Sequence, residues 1–309
     1  MRGFTPSLAI LAACAALSAS AGPNPVPSWQ MSTNRAAQTA PEARILVLDV
    51  RTGRLLAEHG LREARRTLAA PGSTLKPIVL YSLIASSRWN PEQRVVCDRK
   101  LVVAGHRLAC THPSAPPFDA REALAWSCNS YFAQVARTLR PGDLGQLLRP
   151  TGLLGITDLA NRMGTPEQGS RMEASAIFWE PMSPEAAQLS LLGVDGIRIT
   201  PLELAVAYRW LAVELAAHPE SEAAQVVSAG LADSASFGMA RQASHSGAFV
   251  AGKTGTADGT ASTQSHGWFA GLAPVDKPQV VVVVYLPAGH GADAAGVAAE
   301  LLAHSPVMP

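Results

Sequence analysis

Three short stretches carry side chains that could do chemistry together. Pro71-Gly72-Ser73-Thr74-Leu75-Lys76 sets a hydroxyl three residues before an amine. Positions i and i+3 share a helix face, so on a helix Lys76 can reach Ser73. A serine at a helix N-terminus also lies where unpaired N–H groups favour developing negative charge. Serine is a weak nucleophile until a base takes its proton, and a desolvated, neutral lysine can be that base. Of the 25 basic residues only Lys76, Lys100, Lys253 and Lys277 are lysines. A chain that otherwise uses arginine has lysine where arginine could not accept a proton.

The second stretch is Ser127-Cys128-Asn129, between helix candidates at 120–126 and 130–139. Residues two apart do not share a helix face, so both polar side chains can look into one cleft only if a turn separates the helices. Asn129 is equally suited to capping the helix that follows. The third stretch, Lys253-Thr254-Gly255-Thr256, reads as strand. Its two threonines then point to one face, and Gly255 lets another backbone approach closely. Such a strand suits an extended peptide ending in a carboxylate. Taken singly, each stretch has an ordinary reading as a cap, a turn or an incidental lysine.

The elements that must position these residues follow from apolar patterning. Ile45 to Val50 is a buried-strand run, Thr52-Gly53 turns it, and Arg54 to Glu58 returns as a partner. A long apolar helix is predicted over Ser73 to Ser86 and a hairpin over 94–110 around Ala104-Gly105. The middle, Ala120 to Ala217, reads as mostly helical. Strands return at Ala248–Ala257, Gly267–Leu272 and Gln279–Leu286, before a last helix from about Ala292 to His304. The expected fold is therefore α+β: an antiparallel sheet of about five strands built from both ends of the chain, flanked by helices, with an inserted all-helical lobe and a cleft where lobe meets sheet. The 309 residues are 48% hydrophobic and only 16% charged, enough for a full core. With 25 basic against 24 acidic residues, the basic face of a nucleic-acid binder is not expected.

Residues 1–21 read as an export signal, with Arg2, an apolar stretch from Leu8 to Leu17 and small residues at Ala19-Ser20-Ala21. Leu11-Ala12-Ala13-Cys14 also resembles a lipobox, in which Cys14 would carry a lipid anchor. Either way the mature protein is expected outside the cytoplasm, in the periplasm or its equivalent. Residues 22–42, rich in Pro, Ser, Asn, Gln and Ala, are expected to be a flexible leader, and residues 43–309 a single catalytic domain.

In this order the three stretches resemble the S-x-x-K, S-x-N and K-T-G motifs of the penicilloyl-serine transferases, the penicillin-binding transpeptidases and serine β-lactamases. Leu48-Asp49-Val50-Arg51-Thr52-Gly53-Arg54-Leu55-Leu56-Ala57 resembles the family's opening hairpin. Ile199-Thr200-Pro201-Leu202-Glu203-Leu204-Ala205 resembles its T-P-L-Q-L-A helix start, and Trp268-Phe269-Ala270-Gly271-Leu272-Ala273-Pro274 its W-F-x-G strand. The likeness covers about residues 43–304 and is nearest to the class B penicillin-binding proteins. It implies that Ser73 attacks the carbonyl of a D-Ala-D-Ala peptide and is acylated, with Lys76 as base. Ser127 would relay a proton to the leaving amine, with Lys253 holding the local field. Asn129 would bind the substrate amide, and Thr254 and Thr256 its carboxylate. The backbone N–H groups of Ser73 and Thr256 would form the oxyanion hole. Peptidoglycan stem peptides are the implied partners and β-lactams the implied inhibitors; no catalytic cofactor is implied, and no protein partner is identified.

Departures from the family narrow the activity. Biosynthetic members usually add a pedestal or glycosyltransferase domain and a membrane helix, whereas this chain reads as a lone catalytic domain. A β-lactamase needs a base for the deacylating water. Glu180-Pro181 faintly echoes the class A glutamate, but Pro184 stands where that pattern has asparagine, and polar Asn129 stands where class D has valine. The expectation is a D,D-transpeptidase or D,D-carboxypeptidase. The alternatives are a β-lactamase and a non-turnover sensor module, which would hang from a membrane signalling protein.

Cys97, Cys110 and Cys128 remain in the folded domain, an odd number for an exported protein. One reading is a Cys97–Cys110 disulfide with Cys128 free. The other joins Cys97, Cys110, His112 and Cys128 as the Cys₃His set of a closed structural zinc site. Some elongation-type class B members resemble this, although His112 lies closer to Cys110 than in their pattern and His106 could substitute. Cys128 must point away from the cleft if Ser127 and Asn129 point into it, which suits a ligand bracing the motif from behind.

Overall fold

The computed structural model describes residues 28–113, 117–154, 175–244, 249–258 and 264–306. The expected export signal and lipobox lie outside them. The apolar runs at the two ends of the chain become neighbours in one antiparallel sheet. Its strands are β1 (Arg44–Asp49), β2 (Leu55–His59), β7 (Ala251–Asp258), β8 (Ser265–Ala273) and β9 (Val280–Leu286), in the order β2-β1-β9-β8-β7. This is the sheet the sequence predicts. Alternation sorts its side chains: Leu46, Leu48, Val281 and Val283 face one core, while Ile45, Val47, Val282 and Val284 face another. Every residue of β9 is buried. With each buried valine contributing on the order of 1.5–3 kcal/mol, the register Ile45↔Val284 and Leu46↔Val283 is firmly set.

Two helices cover the second face, α1 (Trp29–Thr39) and α10 (Gly291–Ala303). α1 replaces the expected flexible leader over its described part, 28–42, while residues 22–27 of that leader lie outside the described residues. Ser28 caps it by accepting from the Met31 N–H, the small residues Ser32, Thr33, Ala36 and Ala37 are buried, and Arg35 pairs with Glu300 at 2.9 Å. Residues this small, two of them polar, make a buried face without a clear apolar period, so the segment reads as a linker until its partner helix is known.

The other face carries the helical lobe: α2 (Leu61–Ala64), α3 (Lys76–Ala85), α4 (Ala120–Ala125), α5 (Asn129–Ala136), α6 (Asp143–Leu148), α7 (Pro184–Leu191), α8 (Pro201–Ala217) and α9 (Glu222–Ser236). α3 is buried nearly all round, as its unbroken apolar sequence requires. Capping boxes start α4 (Asp119 with Glu122) and α8 (Thr200 with Glu203, followed by Pro201), each cap worth about 1 kcal/mol. The predicted hairpin over 94–110 shrinks to two-residue strands β3 (Val102–Val103) and β4 (His106–Arg107), around Ala104-Gly105 with both residues at positive φ. A further ladder, β5 (Ile177–Phe178) with β6 (Ile197–Arg198), interrupts the stretch read as helical. No helix among the described residues is long and apolar enough to cross a membrane.

Candidate active site

A cleft of about 380 Å³ lies between lobe and sheet, and Ser73, Ser127, Asn129, Thr254 and Thr256 all line it. Ser73 sits in a 3₁₀ turn, Gly72–Leu75, that runs directly into α3 at Lys76. The turn is pressed against β7. A Cβ on Gly255 would stand 2.5 Å from the Pro71 carbonyl oxygen, and one on Gly72 would stand 2.8 Å from that of Thr256. Gly72 also takes φ +54 and donates its N–H to the Gly193 carbonyl at 3.0 Å. Glycine at these positions lets turn and strand meet backbone to backbone, setting Ser73 and Thr256 side by side on the cleft.

Behind the cleft both lysines are fully buried. Lys76 Nζ donates to the Ser127 carbonyl at 2.9 Å, the Ser127 hydroxyl at 3.2 Å and Asn129 Oδ1 at 2.7 Å, and lies 5.0 Å from the centre of the Phe132 ring. Burial lowers its ammonium to about 8, against the opposing pull of Cys110 and Cys128. Lys253 Nζ donates to the Thr254 carbonyl at 3.0 Å. Its ammonium is held well below the usual lysine range, by burial first and by the charge of Lys76 second. Near pH 8 a large share of Lys76 is therefore the neutral amine, which can accept a proton from a hydroxyl.

The second stretch forms the opposite wall. Ser127 adopts φ +55, a left-handed conformation that costs a non-glycine residue about 1–3 kcal/mol and persists only where its surroundings hold it. Lys76 holds its carbonyl, and the turn leads into α5, whose cap is Cys128 and whose first residue is Asn129. Asn129 is therefore not the cap the sequence allowed. Its carboxamide instead bridges Lys76 and the Leu108 carbonyl, the latter at 3.2 Å.

Cys128 is buried behind this wall, pointing away from the cleft as expected, and meets Cys97, Cys110 and His112, with all four ligand atoms within 4.8 Å of one another. The three described cysteines are free thiols. Negative charge collects on Cys110, whose thiol is brought down to about 4, chiefly by the hydrogen bond from Cys128, with further help from the N–H groups of Ser130 and Asn129. The Asn129 N–H reaches Cys110 Sγ at 3.2 Å. His112 Nδ1 faces the Pro113 carbonyl at 2.8 Å, which leaves Nε2 as the lone-pair nitrogen toward the sulfurs, 3.4 Å from Cys97. A tetrahedron of about 2.3 Å Zn–S bonds has edges of about 3.8 Å, so only a slight contraction would fit this donor set to zinc. His106 lies instead on β4, exposed.

Glu180 has other work than its sequence echo suggests. Its two carboxylate oxygens accept the N–H groups of Gly142 and Gly145 at the start of α6, at 3.0 and 3.1 Å. The cleft also has lining residues that the motifs do not mark: Trp126, Met239 and His290. Trp126 and His290 could have been suspected, one preceding Ser127 and the other opening the last helix; nothing in the sequence marks Met239.

A family model described as the penicillin binding protein transpeptidase domain matches residues 43–305. Among solved structures, a peptidoglycan glycosyltransferase from Burkholderia ambifaria is similar with a TM-score of 0.72 at 20% identity, over 90% of this chain and 96% of that one. The transpeptidase domain of penicillin-binding protein 3 from Burkholderia pseudomallei gives 0.72 at 20% identity, over 93% and 100% of the two chains. PBP2 of Pseudomonas aeruginosa gives 0.71 at 20% identity, over 89% of this chain and 75% of that one.

Proposed function

The chain belongs to the penicillin-binding protein transpeptidase domain family, and from that premise we propose that it is an exported serine D,D-transpeptidase or D,D-carboxypeptidase acting on D-Ala-D-Ala ends of peptidoglycan stem peptides. The observation that carries this reading is Lys76: a buried amine, brought down to about 8, three residues after Ser73 and in hydrogen-bond contact with both Ser127 and Asn129. Lys76 takes the Ser73 proton as Oγ attacks the peptide carbonyl. The N–H groups of Ser73 and Thr256 receive the oxyanion, each such donor being worth about 3–4 kcal/mol. Ser127 passes a proton to the departing D-alanine amine, Asn129 binds the peptide amide, and Thr254 and Thr256 bind the terminal carboxylate. Gly291 N–H donates to Thr256 Oγ1 at 2.9 Å, which leaves the threonine proton free for that carboxylate. β-Lactams acylate Ser73 by the same route.

The acyl-enzyme is long-lived toward water, a reading supported by the engagement of both Glu180 oxygens away from the cleft lining. Cys97, Cys110, His112 and Cys128 would hold a zinc ion in a structural role, since four protein ligands would leave no open position for chemistry. The test is a pentapeptide ending in D-Ala-D-Ala: the protein releases terminal D-alanine or forms a cross-linked dimer, and Ser73→Ala does neither. Undiminished product from Ser73→Ala contradicts the reading.

A further inference from the structure

We propose that His266 is a positioning residue for the nucleophile turn: together with Trp268 it clamps the Ala70 carbonyl, and through that clamp it aims the Ser73 N–H as an oxyanion donor. The inference rests on the acyl-enzyme reading above, and His266 lies outside the three motif stretches. The period of two puts positions 266 and 268 of β8 on one face of the strand. Both side chains reach the strap that leads into the Ser73 turn. His266 Nε2 meets the Ala70 carbonyl oxygen at 2.8 Å, and Trp268 Nε1 donates to the same oxygen at 2.9 Å. A carbonyl oxygen only accepts and has two lone pairs, so both are engaged and His266 carries its proton on Nε2. His266 is 4% exposed and Trp268 is fully buried, so neither donor has water as a ready alternative. The two rings pack edge-on at 6.3 Å, and Tyr285 of β9 backs both, at 5.7 and 4.3 Å.

The strap needs this hold because of its sequence. Ala69 exchanges both backbone hydrogen bonds with Ile199, at 3.0 and 2.9 Å, and the Gly72 N–H goes to the Gly193 carbonyl. Between them Pro71 has no N–H to give. Its carbonyl turns toward the helix and accepts from the Thr74 N–H and from Thr74 Oγ1. The Ala70 carbonyl is thus the point at which the sheet's side chains grip the strap. The Ser73 N–H follows three residues later, in a turn too short to absorb a rotation of the Ala70–Pro71 peptide. Burial holds the His266 imidazolium below the usual histidine range. The ring is therefore neutral where Lys76 titrates, and the clamp acts on geometry without sharing the proton of the base.

The experiment compares His266→Phe, which keeps a ring and loses the N–H, with His266→Gln, whose amide N–H reaches about as far as Nε2. Stopped-flow acylation by penicillin separates the binding constant from the acylation rate constant, and infrared spectroscopy reads the carbonyl stretch of the penicilloyl ester. In His266→Phe the acylation rate constant falls about tenfold, short of the hundredfold or more that losing an oxyanion donor costs. Binding stays within about twofold, because the interaction acts on the transition state. The ester stretch moves toward that of the same ester in denatured protein, and the midpoint of the pH profile stays where Lys76 puts it. His266→Gln recovers the rate constant to within about threefold of the unaltered protein. An unchanged rate constant, a fall shared equally by binding, a displaced midpoint, or a Gln variant as slow as the Phe variant overturns the inference. Should His266→Phe not fold, His266→Asn takes its place with the same outcomes, since its amide stops short of Ala70. An unaltered protein that forms no penicilloyl ester overturns the reading beneath as well.

Discussion

The two walls of the cleft are held in different ways. On the Ser73 side, turn and strand touch through backbone, with Gly72 and Gly255 leaving no room for even a methyl group. On the Ser127 side, side chains do the holding: Lys76 grips the carbonyl of a left-handed serine, and Cys128 anchors the next residue in a buried sulfur and imidazole cluster. Backbone contact fixes the distance between Ser73 and Thr256 and leaves no space for a side chain at either glycine. A side-chain brace can weaken by degrees, and it ties the second motif to whatever occupies the cluster. Lys76 belongs to both walls, since it follows the Ser73 turn at the start of α3 and donates to Ser127 and Asn129.

That contrast can be broken at the shared element first. Lys76→Arg, whose guanidinium cannot accept a proton, is expected to slow acylation by penicillin about a thousandfold or more. Lys253→Arg keeps a cation and is expected to cost clearly less; equal losses in both variants would mean that Lys76 is not the base. Next comes the backbone-held wall. Gly255→Ala drives a methyl group against the Pro71 carbonyl, with an expected loss of about 1–3 kcal/mol in stability and roughly a hundredfold in acylation rate if one oxyanion donor is displaced. Stopped-flow acylation and thermal melting together check this.

The pH profile sharpens the role of Lys76. Its ammonium lies lowered to about 8, so acylation should rise about tenfold per pH unit below that value and level off above it. The same lowering means that the unfolded chain binds the proton more tightly, so the contribution of Lys76 to stability grows as pH rises from about 8 toward 10.5. A rate flat from pH 6 to pH 9 contradicts a lysine base. The smallest effect on rate is expected at the side-chain brace. Cys128→Ser should remove about one zinc per chain and lower the melting temperature by several degrees, while slowing acylation less than tenfold because Lys76 still holds Ser127. Metal-free protein whose Cys97 and Cys110 resist alkylation until reduced would end the zinc proposal.

The sheet, and the three stretches that meet at the cleft, were legible because each is written locally. Val280 to Leu286 announces a strand buried on both faces, and Thr200-Pro201-Leu202-Glu203 spells a capped helix start. What was not legible depends on contacts between distant segments. α1 looks like a linker because Ser32, Thr33, Ala36 and Ala37 are too small to show an apolar period, and only α10 gives their face a partner. The β5–β6 ladder is two residues long and too short to outweigh its helical surroundings. Met239 joins the cleft through its tie to Ala125, and Glu180, suggestive beside Pro181, is claimed by the first turn of α6. The cysteines fall between these cases: the ligand set could be counted in the sequence, but its convergence behind Ser127 is a property of the fold.

The central claim is that Ser73 is the nucleophile of a slowly deacylating enzyme. Intact-protein mass spectrometry during incubation with penicillin tests it most directly. The account predicts a gain of one penicilloyl group, mapped by peptide digestion to Ser73, absent in Ser73→Ala and persisting for many minutes at neutral pH. Modification of a different residue, no modification of folded protein, or an adduct that turns over within seconds would contradict it.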